Sequence, residues 1–474
     1  MDKSLQESFL NQILEKSEVS LTDDQWEVMH EFWDFLKSEV DFPAFLLTGS
    51  AGTGKTFMIR IFSQLIRKSG YKVVLLAPTG RAAKVISRRT KRPAYTIHHH
   101  IYASKDDGWG RVHFTLKKNR EPKATIYIID EASMIGAETE TRGQNNLLSD
   151  LVQYVFDAEV PHKLIFVGDP VQLPPIGLNY SPGLNPYVLT RELDLNLYEG
   201  ELSEVKRQHV DSGILENAII IRDVFVLDTG EIPQLIPSRD MQLLDTPYEA
   251  LDTYIGYFEE GNPDRVVFIT YSNYQAMKVN QAIRHNLWHT DALLLPSDLL
   301  MVVKNNYSWG EAKEGLPFLA NGEMGTVRYV HEESKETRYG LNWMDAEIEF
   351  ITTGGHTTLI ACKIVLDLLN NKQPQLDTAQ LNLIARARQE EYIGLSAGQM
   401  REALRTDPYI NALQVKYGYA ITGHKAQGGQ WENVIIGFEP NYSNDYKAYI
   451  RWTYTVFTRA EERLFLLNCP FIES

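Results

Sequence analysis

The sequence predicts an α/β protein built on two parallel-sheet units. Three observations carry this. Short apolar strands alternate with helical segments from about residue 44 to residue 167. A glycine-rich loop, Gly49-Ser50-Ala51-Gly52-Thr53-Gly54-Lys55-Thr56, joins the first strand to the helix after it. The alternation blurs after about Pro186 and returns from residue 265 to residue 467. Apolar strands separated by helices belong to parallel sheets covered on both faces.

Taken in order, 21–40 reads as a helix capped by Thr22, with Trp26, Met29, Phe32, Trp33 and Leu36 at helical spacing. A strand is expected over 44–48, a helix over 56–68 stopped at Gly70, and strands over 72–77, 124–129 and 163–167. The later unit has strands over 265–270, 417–421, 433–438 and 463–467, with helices over 273–287 and 446–458. About 120 residues, 290–414, interrupt it. Their start is β-rich, with a turn at Asn321-Gly322 and strands over 325–330 and 346–352, and their later part, 378–405, is charged and helical.

Composition bounds the rest. The chain has 474 residues, 43% of them hydrophobic, which allows more than one core. No run of about 18 uncharged apolar residues occurs, so no membrane contact is expected. The first 21 residues lack the order of a signal peptide. Two cysteines, Cys362 and Cys469, make neither a disulfide framework nor the usual zinc site, and a cytoplasmic location is expected, nucleoid-associated if bacterial. The net charge of −15 argues against a general polyanion-binding surface. Residues 81–92 are a local exception, with Arg81, Lys84, Arg88, Arg89, Lys91 and Arg92 and no acid.

The loop from Gly49 to Thr56 matches the phosphate-binding P-loop in full and in its strand-to-helix context. Glycines let backbone N–H groups face the phosphates, and the helix N-terminus adds positive potential. Lys55 offers a point charge to the β- and γ-phosphates of ATP, and Thr56 a hydroxyl to Mg2+. Asp130 and Glu131 close the strand over 125–129. One carboxylate can hold the metal and the other can orient the attacking water. Gln172, after the strand over 163–167, can sense the γ-phosphate. Arg207 and Arg459 are candidates to stabilise charge on the transferred phosphoryl group.

Further pieces stand in a fixed order around these: Leu21-Thr22 with Gln25, Pro78-Thr79-Gly80-Arg81, Thr96-Ile97-His98, Asp130-Glu131-Ala132-Ser133-Met134 and Gly168-Asp169-Pro170-Val171-Gln172. Then come Glu204-Val205-Lys206-Arg207, Tyr271-Ser272-Asn273, Asn321-Gly322-Glu323, Thr422-Gly423-His424-Lys425-Ala426-Gln427-Gly428 and Thr455-Val456-Phe457-Thr458-Arg459. In this order the chain resembles superfamily 1B helicases of the RecD-like, Dda-like and Pif-type group.

The resemblance implies two RecA-like P-loop domains, with a small hairpin (pin) insertion in the first and a β-rich SH3-like insertion in the second. The expected layout is 1–186 for the first domain, with the pin at about 97–123. The second domain is expected over 187–289 and 415–474, with the insertion over 290–414. Gln25 would read adenine, and Arg207 and Arg459 would reach the phosphates across the cleft between the domains. Pro78, Thr79, His98, Thr422, His424 and Lys425 would lie near single-stranded DNA. The implied activity is 5′ to 3′ translocation with strand separation, driven by ATP with Mg2+ between the two domains. Single-stranded DNA and DNA forks are the expected partners, replication or repair proteins are further ones, and a monomer is expected to act.

Gln430 departs from the group's usual glutamate, which approaches the nucleotide; it is a nucleotide-site candidate without charge. A hairpin over 101–116, turning at Asp107-Gly108 and carrying Trp109, is the candidate duplex-splitting element. Two other functions are open to this sequence: a DNA-dependent translocase subunit of a repair or nuclease complex without strand separation, and a DNA-binding module with a degenerate ATPase. The complete set of Lys55, Thr56, Asp130, Glu131, Gln172 and Arg459 argues against the second.

Overall fold

A computed structural model of the chain describes residues 20–106, 112–136, 146–205, 212–228, 230–309, 318–352, 355–439 and 445–472. In chain order the elements begin with α1 (Asp23–Lys37), β1 (Pro43–Gly49), α2 (Lys55–Lys68), β2 (Lys72–Ala77), α3 (Gly80–Thr90), β3 (Ala94–Thr96) and α4 (Ile97–Ile101). Next are β4 (Tyr102–Asp106), β5 (Val112–Leu116), β6 (Thr125–Ile129), α5 (Leu147–Phe156), β7 (Lys163–Gly168), β8 (Asn196–Leu202), α6 (Gly213–Leu227), β9 (Met241–Leu244) and α7 (Pro247–Tyr257). Then follow β10 (Val266–Thr270), α8 (Asn273–Trp288), β11 (Leu299–Val302), β12 (Met324–Arg338), β13 (Leu341–Ile351), β14 (Thr357–Val365), α9 (Thr378–Glu391) and α10 (Ala397–Arg405). The last are β15 (Val415–Tyr417), β16 (Ala420–Thr422), α11 (Gly423–Ala426), β17 (Trp431–Gly437), α12 (Tyr446–Phe457) and β18 (Ala460–Leu467). No helix among the described residues is long and apolar enough to cross a membrane.

The chain divides into two compact units. The first comprises Met1–Leu76, Lys118–Pro170 and Pro174–Asp211; the second comprises Ala77–Lys117, Val171–Leu173 and Ser212–Ser474. In the first, the strand order is β2-β6-β7-β1-β8 and every neighbouring pair is parallel. The apolar runs of β1, β6 and β7 are buried almost throughout, as expected for strands covered on both faces. Phe32 of α1 stacks on Phe62 of α2 at 3.8 Å between centroids and meets Phe45 of β1 edge-on, which fixes both helices against the strand that carries the P-loop.

The sheet runs further along the chain than the expected boundary at residue 186, because β8 pairs with β1 from Pro43↔Asn196 to Gly49↔Leu202. β8 is a half-exposed edge strand with Asn196, Glu199 and Glu201, so it lacks the apolar run that marks its partners.

The second unit holds two five-stranded sheets. One is parallel, in the order β16-β10-β17-β18-β9. The other, β14-β13-β12-β11-β15, is antiparallel and occupies the β-rich insertion. The expected turn at Asn321-Gly322 is present between β11 and β12, and the longest pair, β12 and β13, turns at Tyr339 and Gly340, both with positive φ (57° and 74°). The two sheets are tied by a buried ion pair. Arg284 of α8 grips Asp298 with two nitrogens, and Tyr419 donates to the same carboxylate. The charged segment over 378–405 forms α9 and α10. Arg388 of α9 pairs with buried Asp407, and Tyr392 also donates to Asp407. The hairpin expected over 101–116 is present as β4 and β5, paired from Tyr102↔Leu116 to Asp106↔Val112. Its tip, with Trp109, lies outside the described residues.

Candidate nucleotide and nucleic-acid sites

In the first unit the P-loop adopts the backbone its glycines permit. Gly52 and Gly54 have φ of 81° and 96°, and Gly54 caps the N-terminus of α2. A β-carbon on Gly49 would lie 2.7 Å from Thr53 Oγ1 and 2.9 Å from Leu202 O, so this cradle admits glycine alone. Lys55 Nζ donates to Gly49 O at 2.8 Å and Ser50 O at 2.9 Å, which holds the ammonium inside the loop. Gln25 is fully buried and donates to Thr53 O at 3.0 Å, so it supports the loop directly.

Asp130 and Glu131 follow β6, the neighbour of β7, which itself pairs with β1. Asp130 N donates to Leu76 O at the end of β2, fixing the acidic pair at the strand tips. Glu131 has φ 54° and ψ 40°, a left-handed conformation that costs a side chain about 1–2 kcal/mol. These residues suit ATP with Mg2+: a cradle shaped for phosphate, a lysine, and hard oxygen donors at Thr56 and Asp130. Asp24 carries no motif signal in the sequence. Its carboxylate accepts from Ser203 N at 2.7 Å and Glu204 N at 2.8 Å, and so positions the segment leading to Arg207. Arg207 lies outside the described residues.

In the second unit Gln172 and Gln430 adjoin in sequence the hydrogen-bond network that holds buried Arg459. Arg459 donates to Thr455 O at 2.9 Å, Gly429 O at 3.2 Å and Thr458 Oγ1 at 2.9 Å. Leu173, beside Gln172, donates from its backbone to Thr455 Oγ1 and accepts from Gln427 Nε2. The Oε1 atoms of Gln172 and Gln430 are buried and have no hydrogen-bond partner among the described residues. Two buried amide acceptors of this kind want a donor. Gln427 and Thr455 stand in recognisable motifs, yet only the structure shows that they hold this network together.

The candidate nucleic-acid residues also lie in the second unit. Thr79 caps α3, its Oγ1 accepting from Ala82 N at 3.2 Å. The first turn of α3 has no acid of its own, and buried Glu323 supplies one: a β-carbon on Gly80 would lie 3.0 Å from Glu323 Oε2. Lys84 pairs with the same carboxylate and donates to Ile351 O. Lys425 donates to Asn321 Oδ1, and a β-carbon on Gly428 would lie 3.4 Å from Thr79 Oγ1. Residues 78–84, 321–323 and 424–428 therefore converge. Burial pushes the His98 and His424 imidazoles below the usual 6.5, so both are neutral at pH 7 and offer rings and hydrogen bonds, not charge. Thr422 is buried at the start of α11.

An aromatic run borders the hairpin. Phe114 of β5 packs on Tyr307 at 5.0 Å, Tyr307 stacks on Phe318 at 5.1 Å, and Phe318 stacks on His99 at 5.7 Å. Lys117 closes the base of the hairpin by donating to His99 O and His100 O.

Residues 20–217 match a family model described as an AAA domain, and residues 417–467 match one described as a UvrD-like helicase C-terminal domain. The chain is 23% identical to the ATP-dependent RecD2 DNA helicase of Deinococcus radiodurans, over 89% of this chain and 46% of that protein. It is 25% identical to the ATP-dependent DNA helicase dda of Enterobacteria phage T4, over 54% of this chain and 55% of that protein. With the ATP-dependent DNA helicase Pif1 of a Psychrobacter species it shares 30% identity, over 37% of this chain and 27% of that protein. The chain spans less than half the length of the first two curated relatives it matches, 36% of one and 46% of the other.

Proposed function

We propose that the chain is a superfamily 1B helicase of the RecD-like, Dda-like and Pif-type group, an ATP-driven DNA helicase that moves 5′ to 3′ on a single strand. The observation that carries the reading is the P-loop cradle with Asp130 and Glu131 fixed at the tip of β6, two strands along the same sheet.

Lys55 acts on the β- and γ-phosphates, Thr56 and Asp130 hold Mg2+, and Glu131 orients the water. Gln172 and Gln430 accept hydrogen bonds at the nucleotide, and Arg207 and Arg459 act on the transferred phosphoryl. Gln25 contributes to adenine recognition. Pro78, Thr79, His98, Thr422, His424 and Lys425 face the DNA strand, and Trp109 meets the duplex. The domain reading is part of the proposal, with its first boundary moved past β8: 1–202 and 203–289 with 415–474 as RecA-like domains, the pin at about 97–123, and 290–414 as an SH3-like and helical insertion. The separate parallel sheets and the antiparallel sheet of the insertion support it. Single-stranded DNA and forks are the substrates, the protein acts as a cytoplasmic monomer, and replication or repair proteins are its partners.

Hydrolysis measured with and without a single-stranded oligonucleotide tests the core of this. Strong stimulation is expected, and equal rates would sink the motor reading. Lys55→Ala should lower hydrolysis by about 10²-fold or more while DNA affinity is largely kept.

A further inference from the structure

Beside α3, within the second unit, lies a cavity of about 520 Å³. Arg81, Lys84, Arg88, Lys91 and Arg92 line it against two carboxylates, Asp264 and Glu323. The carboxylates are committed. Asp264 pairs with Arg81 at 3.0 Å and only loosely with Arg88 at 3.4 Å, and Glu323 pairs with Lys84. Arg81 is further fixed by stacking on Trp431 at 3.8 Å. The inner cations are thus structural, and the surplus of positive charge sits at the outer rim.

At the rim, Arg88 has a structural reason to be cationic and Lys91 has none. The dipole of α3 favours Arg88 and Arg89 in its last turn, and Arg89 has its own partner in Glu461. Lys91 stands one step past the helix in a left-handed conformation (φ 53°), exposed, which favours glycine or asparagine over lysine. In a chain of net charge −15, six cations without an acid in residues 81–92 make a local field of opposite sign. Val85, Pro263 and Met324 add apolar wall between the charges.

We propose that this cavity is a second phosphate subsite, which takes a phosphate ester with its sugar against the apolar wall, the rim cations Arg88 and Lys91 holding the phosphate. Its outer rim stands apart from the face formed by Thr79, Thr422 and Lys425, since Lys91 lies about 18 Å along α3 from Thr79 at 1.5 Å per residue. The ester comes from a nucleic-acid strand or from a free nucleotide. The first source rests on the function proposed above; the second does not.

The test compares wild type with an Arg88→Gln/Lys91→Gln double variant. Both residues are exposed, so circular dichroism and hydrolysis without DNA should be unchanged. Binding of single-stranded oligothymidylate is measured from 50 to 200 mM salt, and binding of thymidine 5′-monophosphate at low salt. If a strand fills the subsite, the slope of log affinity against log salt becomes shallower by about 0.7 for each phosphate that the variant no longer neutralises. If a free nucleotide fills it, the slope is unchanged and the variant loses a saturable thymidine monophosphate site that wild type has. An unchanged slope together with unchanged monophosphate binding overturns the subsite. Failure of wild type to bind oligothymidylate would count against the helicase reading, and the monophosphate arm then judges the cavity alone.

Discussion

Glu131 illustrates what a motif tells and what it conceals. Its place after Asp130 at a strand tip is plain in the sequence, but its left-handed backbone is not, because nothing local forces φ to 54°. A carboxylate held at this cost points to function rather than stability. Glu131→Gly should raise stability by about 1 kcal/mol, seen as a higher urea midpoint, while abolishing hydrolysis. If stability falls instead, the conformation is not strained. Glu131→Gln should bind ATP without turning it over; loss of ATP binding would reassign the residue. Lys163 reads in the sequence only as the first residue of a strand. It is buried, and its Nζ donates to Phe35 O at 2.6 Å and Ser38 O at 2.7 Å at the end of α1. Burial lowers its pKa from the ordinary 10.5 to about 8. Between these values the unfolded chain binds more protons than the folded one, so stability gains with rising pH across that window. The difference in urea midpoint between wild type and Lys163→Met should therefore grow from pH 8 to pH 10. A constant difference would show that the folded ammonium keeps its ordinary pKa.

The elements were legible wherever a period or a cap was strong. The capping box of Thr22 and Gln25 opens α1, and the apolar runs of β1, β6, β7 and β10 are buried strands. The hairpin of β4 and β5 was legible from its flanking turn signal. Edges and long-range attachments were not. β8 alternates weakly, and the Tyr339-Gly340 turn puts a tyrosine where sequence rules favour asparagine or glycine. Nor could Arg388 and Asp407, 19 residues apart, be paired from spacing. The attachment of the hairpin has a functional consequence. Phe114 joins it to Tyr307 and Phe318 of the insertion, so the hairpin is braced by side chains as well as by its own ladder. Phe114→Ala should leave DNA-stimulated hydrolysis in place and lower the base pairs separated per ATP. Equal coupling in the variant would mean that the brace does not serve strand separation.

At the scale of the whole molecule, two parallel sheets and a β-rich insertion followed from alternation alone. The grouping of 77–117 with the second unit did not, since it depends on pairs such as Arg81 with Asp264 and Arg89 with Glu461, which lie far apart in sequence. The neighbouring interactions bear on direction of travel. Thr79 at one helix N-terminus and Lys425 on Asn321 stand on one converging face whose groups differ from end to end. A DNA strand is chemically polar along its backbone, so an asymmetric face of fixed hydrogen bonds prefers one orientation of the strand. One orientation with a fixed order of domain closure gives one direction of movement. On the 5′ to 3′ direction proposed above, a forked duplex with a 5′ single-stranded tail should be separated and one with a 3′ tail should not. Separation from the 3′ tail alone would reverse the polarity and leave the motor intact. Equal separation from both tails would remove the single orientation. DNA-stimulated hydrolysis with no separation from either tail would favour a translocase that needs a partner to split the duplex.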